Sequence, residues 1–249
     1  VRGDIEVIRD DGWLGPCYAV KFSFKSVFFI SRYLIMVRTA NIKDGIVHSP
    51  YPAINSPDNI SFFQYLEGWM PKHSNRIAII DGEKRVSFAT ALEDIKRYAI
   101  GYRSQGLQTG DRVCVHLSNS AEAAVACYGV IAAGGAVVLA KPTLTERELL
   151  YILKTSGVSF IVLDGTHAEK VRNVGREVRL KRQFSLGSAE GFYPLTNFKS
   201  IEASSFKMCA IHETKTTTAV LTYTSGTTGL PKATDISHYA LISAMEVMR

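Results

Sequence analysis

The chain has 249 residues, with 29 Lys and Arg against 23 Asp and Glu, a formal charge of +6. Hydrophobic residues make up 46% and charged residues 21%, a globular balance that excludes a disordered, fibrous or collagen-like protein. Four cysteines (Cys17, Cys114, Cys127, Cys209) stand far apart with no C-x-x-C pair, so the reading is a reducing compartment without a disulfide framework or thiolate zinc site.

At the N-terminus, residues 1–35 follow neither a sustained strand alternation nor a clean helical face. They are expected to be an unassigned leader ahead of Met36, the first methionine, with the structured domain spanning 36–249. The most apolar window, residues 18–37, is broken by Lys21, Lys25 and Arg32, so no transmembrane segment is expected. Asp4, Glu6, Asp10 and Asp11 occupy the place of a basic n-region, which argues against a secretory signal. Arg2-Gly3-Asp4 and the sequon Asn59-Ile60-Ser61 then carry no weight, because both need export.

Three prolines within residues 47–57 predict an extended entry segment. Ser61-x-x-Gln64 is a capping box that starts a short helix ending near Pro71. Residues 77–80 and 85–88 flank Asp81-Gly82 as a hairpin. Thr90-x-x-Glu93 is read as the cap of the next helix, with Leu92, Ile95, Tyr98 and Ala99 on one face and Gly101 or Gly106 as its end. Strand and helix then alternate: strand 112–117, helix 121–133, strand 136–140, a helix capped by Thr145-x-x-Glu148 and stopped at Gly157, and strand 158–163. This pattern predicts an α/β fold with a largely parallel sheet and helices on both faces.

Across residues 167–183, Lys170, Arg172, Arg176, Arg179, Lys181 and Arg182 meet only Glu169 and Glu177. The excess is mild, and a solvated helix face is expected rather than a nucleic-acid or membrane surface. Residues 185–215 read as polar loop, and 217–223 as a strand.

That strand runs into Thr224-Ser225-Gly226-Thr227-Thr228-Gly229-Leu230-Pro231-Lys232. Glycines let the backbone turn tightly and bring successive N–H groups towards an anion. Hydroxyls add rotatable donors, Lys232 adds positive charge, and Pro231 limits its swing. These are the parts of a polyphosphate cradle, although the spacing is not that of a P-loop NTPase.

The string resembles the AMP-binding loop of the adenylate-forming superfamily, which includes acyl-CoA synthetases, 4-coumarate–CoA ligases and firefly-type luciferases. Its usual form is [ST]-S-G-[ST]-T-G-x-P-K-G, and Thr224 to Lys232 match it throughout. Similarity extends to Gly110-Asp111-Arg112-Val113, Leu117-Ser118-Asn119-Ser120, and residues 129–138 and 141–150. The entry segment around Pro50 and Pro57 is most like the 4-coumarate–CoA ligase and luciferase branch. Two positions depart: Ala233 replaces the usual Gly, and Thr234-Asp235 replace apolar residues. A methyl at Ala233 is costly if φ there is positive, and an inward Asp235 would repel phosphate.

The resemblance implies that ATP activates a fatty or aryl carboxylate as an acyl-adenylate, after which coenzyme A displaces AMP. Thr224, Ser225, Gly226, Thr227, Thr228, Gly229 and Lys232 would hold the β- and γ-phosphates with Mg²⁺, and Lys232 and His238 would be catalytic, His238 bordering the acyl site. No protein metal site is expected. It also implies a cytoplasmic or peroxisomal ligase. The family's ribose-binding Asp, hinge and C-terminal lysine have no counterpart here, so the chain is expected to be the first half of the large N-terminal domain and inactive alone. A luciferase-like oxygenase half, or a noncatalytic nucleotide- or partner-binding product, are the alternatives.

Overall fold

The computed structural model describes residues 7–10, 17–20, 41–48, 53–224 and 231–248. The chain divides into two units, Val1–Ser56 with Ser243–Arg249, and Pro57–Ile242. In the first, β1 (Val7–Asp10) pairs antiparallel with β2 (Cys17–Val20), and β3 (Asn41–Lys43) with β4 (Ile46–His48). Asp44 and Gly45 join the second pair with φ of 52° and 77°, the two positive values a tight hairpin turn needs. Met36 and most of the expected leader lie outside the described residues.

The second unit begins with the expected capping box. Ser61 accepts from the Gln64 amide and Gln64 returns to the Ser61 amide, launching α1 (Phe62–Trp69). A 3₁₀ turn, Met70–His73, follows. Strands β5 (Ile77–Asp81) and β6 (Lys84–Ser87) form the expected hairpin. α2 (Phe88–Ser104) starts three residues earlier than Thr90-x-x-Glu93 predicts, because Ser87 accepts from the Thr90 amide and is the true cap. Glu93 instead pairs with Arg97 one turn on. Gly101 is inside this helix, and the chain turns at Gly106 beyond it.

The alternation follows as expected: β7 (Arg112–His116), α3 (Ala121–Ala132), β8 (Ala136–Leu139), α4 (Glu146–Ser156), β9 (Phe160–Asp164) and α5 (Ala168–Gly175). Thr145 and Glu148 close the second capping box, and Gly157 ends α4 in the left-handed conformation. The stretch read as loop holds β10 (Arg182–Leu186), β11 (Tyr193–Pro194) and two 3₁₀ turns. After it come β12 (Thr218–Thr224), β13 (Lys232–Ser237) and α6 (His238–Val247).

Seven strands form one sheet in the order β11-β10-β9-β7-β8-β12-β13, parallel except for β13. β7 and β9 are apolar and buried over nearly their whole length, as strands covered on both faces must be. On one face, Leu149, Ile152, Leu153, Val171 and Val174 of α4 and α5 cover Cys114, Val138, Ile161 and Leu163. On the other, α2 packs Tyr98 and Tyr102 against Phe184 and Phe198 edge-on, with Tyr102 5.2 Å from each of the latter two rings.

The amino end of the sheet is tied together at Asp111, in the Gly-Asp-Arg-Val run. Its carboxylate accepts from the Gln108 amide (2.9 Å), Ser159 Oγ (3.1 Å) and Lys181 Nζ (2.8 Å), joining the starts of β7, β9 and β10. The basic segment is less free than expected. Lys170 donates to the carbonyls of Pro142 and Leu144, both at 2.8 Å, and Arg172 to that of Glu190. The helix is only eight residues long, so Arg176, Arg179 and Arg182 lie beyond its last residue, exposed on the approach to and start of β10.

Candidate functional site

Sheet order reverses at β7: the chain moves to β8 on one side through α3, and back past β7 to β9 through α4. In open α/β sheets the carboxyl ends of the strands beside such a reversal form the ligand crevice. Here a cleft of about 1430 Å³ opens there, lined by Leu117, Ser118 and Ser120 after β7, Lys141 after β8, and Thr222 to Thr224 of β12. Arg147 and Tyr151 of α4 and Pro231 complete the wall. Lys141 and Arg147 bring positive charge to a rim where Glu148 is already engaged in the Thr145 capping box. Such a rim complements an anion.

The expected cradle begins at the end of β12, but it does not lead directly into a helix. Its described ends belong to an antiparallel β12–β13 pair, with Thr224 paired across from Lys232 and Thr222 from Thr234. The Thr224 hydroxyl leans towards the Lys232 carbonyl at 3.4 Å, closing the neck. Ser225, Gly226, Thr227, Thr228 and Gly229 lie outside the described residues. Lys232 is exposed, and no carboxylate pairs with it among the described residues.

The same hairpin resolves both departures from the motif. Ala233 sits opposite Tyr223 in the strand ladder, and among the described residues Asp44 alone has positive φ outside glycine, so the extra methyl is unstrained. Asp235 is three residues from Lys232, an odd separation that puts it on the other face of β13. There its carboxylate accepts from Thr218 Oγ1 at 3.1 Å.

Lys232 and His238 are not brought together. They stand at opposite ends of β13, and six residues of strand separate them by roughly 20 Å. His238 begins α6 at the amino end of the sheet, 1% exposed, rather than on the surface as a helix-start histidine usually is. The Phe62 amide donates to its Nδ1 at 3.2 Å, so the ring proton is on Nε2, which is buried without a partner among the described residues. Burial pushes its pKa down to about 4, keeping the ring neutral.

Sequence reasoning passed over Lys141, Arg147 and Tyr151 as site residues. Their signal was position: all three lie between β8 and the middle of α4, at the carboxyl end where the predicted parallel sheet must place its crevice. Among the described residues, no group of three or more His, Cys, Asp or Glu gathers to hold a metal, and no helix is long and apolar enough to cross a membrane.

Known proteins are similar to this chain in sequence and in fold. 4-Coumarate–CoA ligase-like 1 of Arabidopsis thaliana is 28% identical over 204 residues, covering 80% of this chain and 36% of the relative. A long-chain-fatty-acid–CoA ligase of Bacillus subtilis is 31% identical over 192 residues, covering 66% and 34%. The chain thus spans about a third of the length of these curated relatives. In fold, a long-chain-fatty-acid-CoA ligase from Archaeoglobus fulgidus matches 83% of this chain and 41% of its own, with a TM-score of 0.71 at 23% identity. The family model of AMP-binding enzymes matches residues 66–249, from within α1 through the sheet and the β12–β13 hairpin. With the loop motif, the doubly wound sheet and the crevice agreeing, the chain belongs to the AMP-binding enzyme family.

Proposed function

We propose that this chain forms the phosphate-binding part of an ATP-dependent acid–thiol ligase. The observation that carries the reading is the β12–β13 hairpin, which presents Lys232 beside Thr224 at the carboxyl end of the sheet, next to a cleft rimmed by Lys141 and Arg147. Thr224, the glycine-rich segment Ser225 to Gly229 and Lys232 hold the β- and γ-phosphates, and Mg²⁺ arrives bound to those phosphates. An oxygen of the substrate carboxylate attacks the α-phosphorus, the bond to the bridging oxygen breaks, and pyrophosphate leaves with that electron pair. The carboxylate is already ionised at neutral pH, so no general base is needed. Negative charge develops on the leaving pyrophosphate, where a fixed ammonium and oriented N–H groups lower the barrier electrostatically. The thiol of coenzyme A then displaces AMP from the adenylate.

The acid is a fatty or aryl carboxylate, the classes named among the relatives, and the setting is cytoplasmic or peroxisomal fatty or aryl acid activation. His238 takes a structural part, its Nδ1 holding the first turn of α1 against the start of α6. The test is calorimetric titration of the chain with ATP, together with ATP–pyrophosphate exchange over a panel of fatty and aryl acids in a protein carrying the remaining segments. Lys232→Ala should lower exchange about 10²-fold or more, the scale of losing one charge-stabilising donor. His238→Gln should leave exchange within a few-fold of the parent. Full exchange in Lys232→Ala would remove the lysine from the mechanism.

A further inference from the structure

The hairpin that presents Lys232 is held from one side by a single helix. Tyr151 of α4 donates its hydroxyl to the Pro231 carbonyl at 3.0 Å, across 80 residues of sequence. One turn further along α4, Thr155 Oγ1 lies 2.7 Å from the Tyr223 hydroxyl, and its own backbone-directed bond goes to the Tyr151 carbonyl at 2.7 Å. Residues 151 and 155 share a helix face, so they meet the two legs of the hairpin together. Tyr223 is next to Thr224 on the leg entering the phosphate segment, and Pro231 is next to Lys232 on the leg leaving it. The two tyrosine rings also touch, edge to face, with centroids 6.4 Å apart.

Because Pro231 lacks an N–H and has a fixed φ, its carbonyl is the polar handle by which its backbone can be held. A bond to that carbonyl fixes the peptide plane joining Pro231 to Lys232, and so the direction in which the lysine leaves the backbone. Lys232 lies on the edge strand of the described sheet, where β12 is its strand partner. α4 supplies the second point of support.

We infer that Tyr151 is a positioning residue for Lys232, acting through the Pro231 carbonyl, with Thr155 as a weaker second support through Tyr223. The inference rests on the phosphate-binding reading of the hairpin. Tyr151 reaches the polyphosphate only through the lysine it aims. Its hydroxyl makes the bond to Pro231 while its ring packs against the core and Tyr223, so the conservative variant separates the two.

The experiment is a double-mutant cycle on the chain, with ATP affinity measured by calorimetry for the parent, Tyr151→Phe, Lys232→Ala and the double variant. Tyr151→Phe keeps the ring against Tyr223 and should weaken ATP about three- to tenfold, the effect of one lost hydrogen bond. In the Lys232→Ala background the same change should cost nothing further, because the group it aims is gone. Thr155→Val should weaken ATP by less, in the same direction. AMP, which lacks the β- and γ-phosphates, should bind all four proteins alike. Additive losses in the double variant would mean that Tyr151 acts through general stability, and would overturn the inference. Parent-like ATP affinity in Tyr151→Phe beside a weakened Lys232→Ala would overturn it while leaving the phosphate reading intact. No loss in Lys232→Ala would overturn that reading, and this inference with it.

Discussion

His116 and His238 are buried histidines of opposite tautomer. His116 donates from Nδ1 to the Ala140 carbonyl at 3.2 Å, whereas His238 accepts at Nδ1 from the Phe62 amide. Each leaves Nε2 buried without a partner among the described residues. The rings of His116 and His167 meet edge-on at 5.2 Å, with Lys170 and Asp164 also nearby. Desolvation pushes both His116 and His238 down to about 4. A depressed folded pKa means that the unfolded chain binds protons first, so stability is full above pH 6.5 and is lost as pH falls towards 4. Each histidine should remove about 1 to 2 kcal/mol between pH 7 and pH 5. Thermal unfolding across that range should show a falling midpoint, and His116→Gln should flatten the slope by about half. An unchanged slope in the variant would mean that His116 is not one of the titrating groups. At Ala233 the strand geometry turns the motif's usual glycine into a poor choice. Ala233→Gly should leave ATP affinity unchanged and cost about 0.5–1 kcal/mol in folding.

At the scale of elements, α2 and α3 meet with no room for a side chain at Gly129. A Cβ built on Gly129 would stand 2.6 Å from the Tyr98 Cβ, which belongs to the facing helix and cannot swing aside. Gly129→Ala should therefore push the helices apart and destabilise the domain by about 1–3 kcal/mol in denaturant melts. A melt unchanged from the parent would mean that the helices have slack there. The elements that could be read from sequence were those whose information is local. Ser61-x-x-Gln64 and Thr145-x-x-Glu148 each carry both halves of a capping box within four residues, and Gly157 supplies the left-handed stop. Thr90-x-x-Glu93 has the same spelling, yet Ser87 takes the cap because β6 delivers it to the helix start in extended conformation. β13 could not be read, since Lys-Ala-Thr-Asp-Ile-Ser lacks clean alternation and its two strand formers, Thr234 and Ile236, are outnumbered by residues that strands disfavour. Its strand state comes from pairing with β12, which is tertiary information. The same blind spot hid the distance between Lys232 and His238, close in sequence but at opposite ends of that strand.

For the molecule as a whole, the candidate ligand cleft and the ties that hold the strands together lie at opposite ends of one sheet. The carboxyl end carries the cleft and Lys232; the amino end carries the Asp111 junction and His238. Asp111→Asn keeps the shape of the side chain but loses its charge towards Lys181, and should cost about 1–3 kcal/mol in folding. ATP affinity at the far end should not change. Urea melts paired with ATP titrations check both halves, and a weakened ATP site in a fully folded variant would show that the two ends are coupled.

The β12–β13 ladder contains an irregularity with an evolutionary consequence. Thr218 pairs with Ser237 and Val220 with Ile236, so Ala219 is an extra residue on β12, a bulge that advances one strand against the other. Side chains in a strand alternate between faces, and a single-residue insertion or deletion in β13 would send Lys232 to the face now occupied by Asp235. It would likewise move Ile236, half-buried beneath the sheet, to the opposite side. Lineages descending from this sequence can therefore exchange residues along β13, but length changes there must come in pairs, or a deletion must be matched by loss of Ala219 across the ladder.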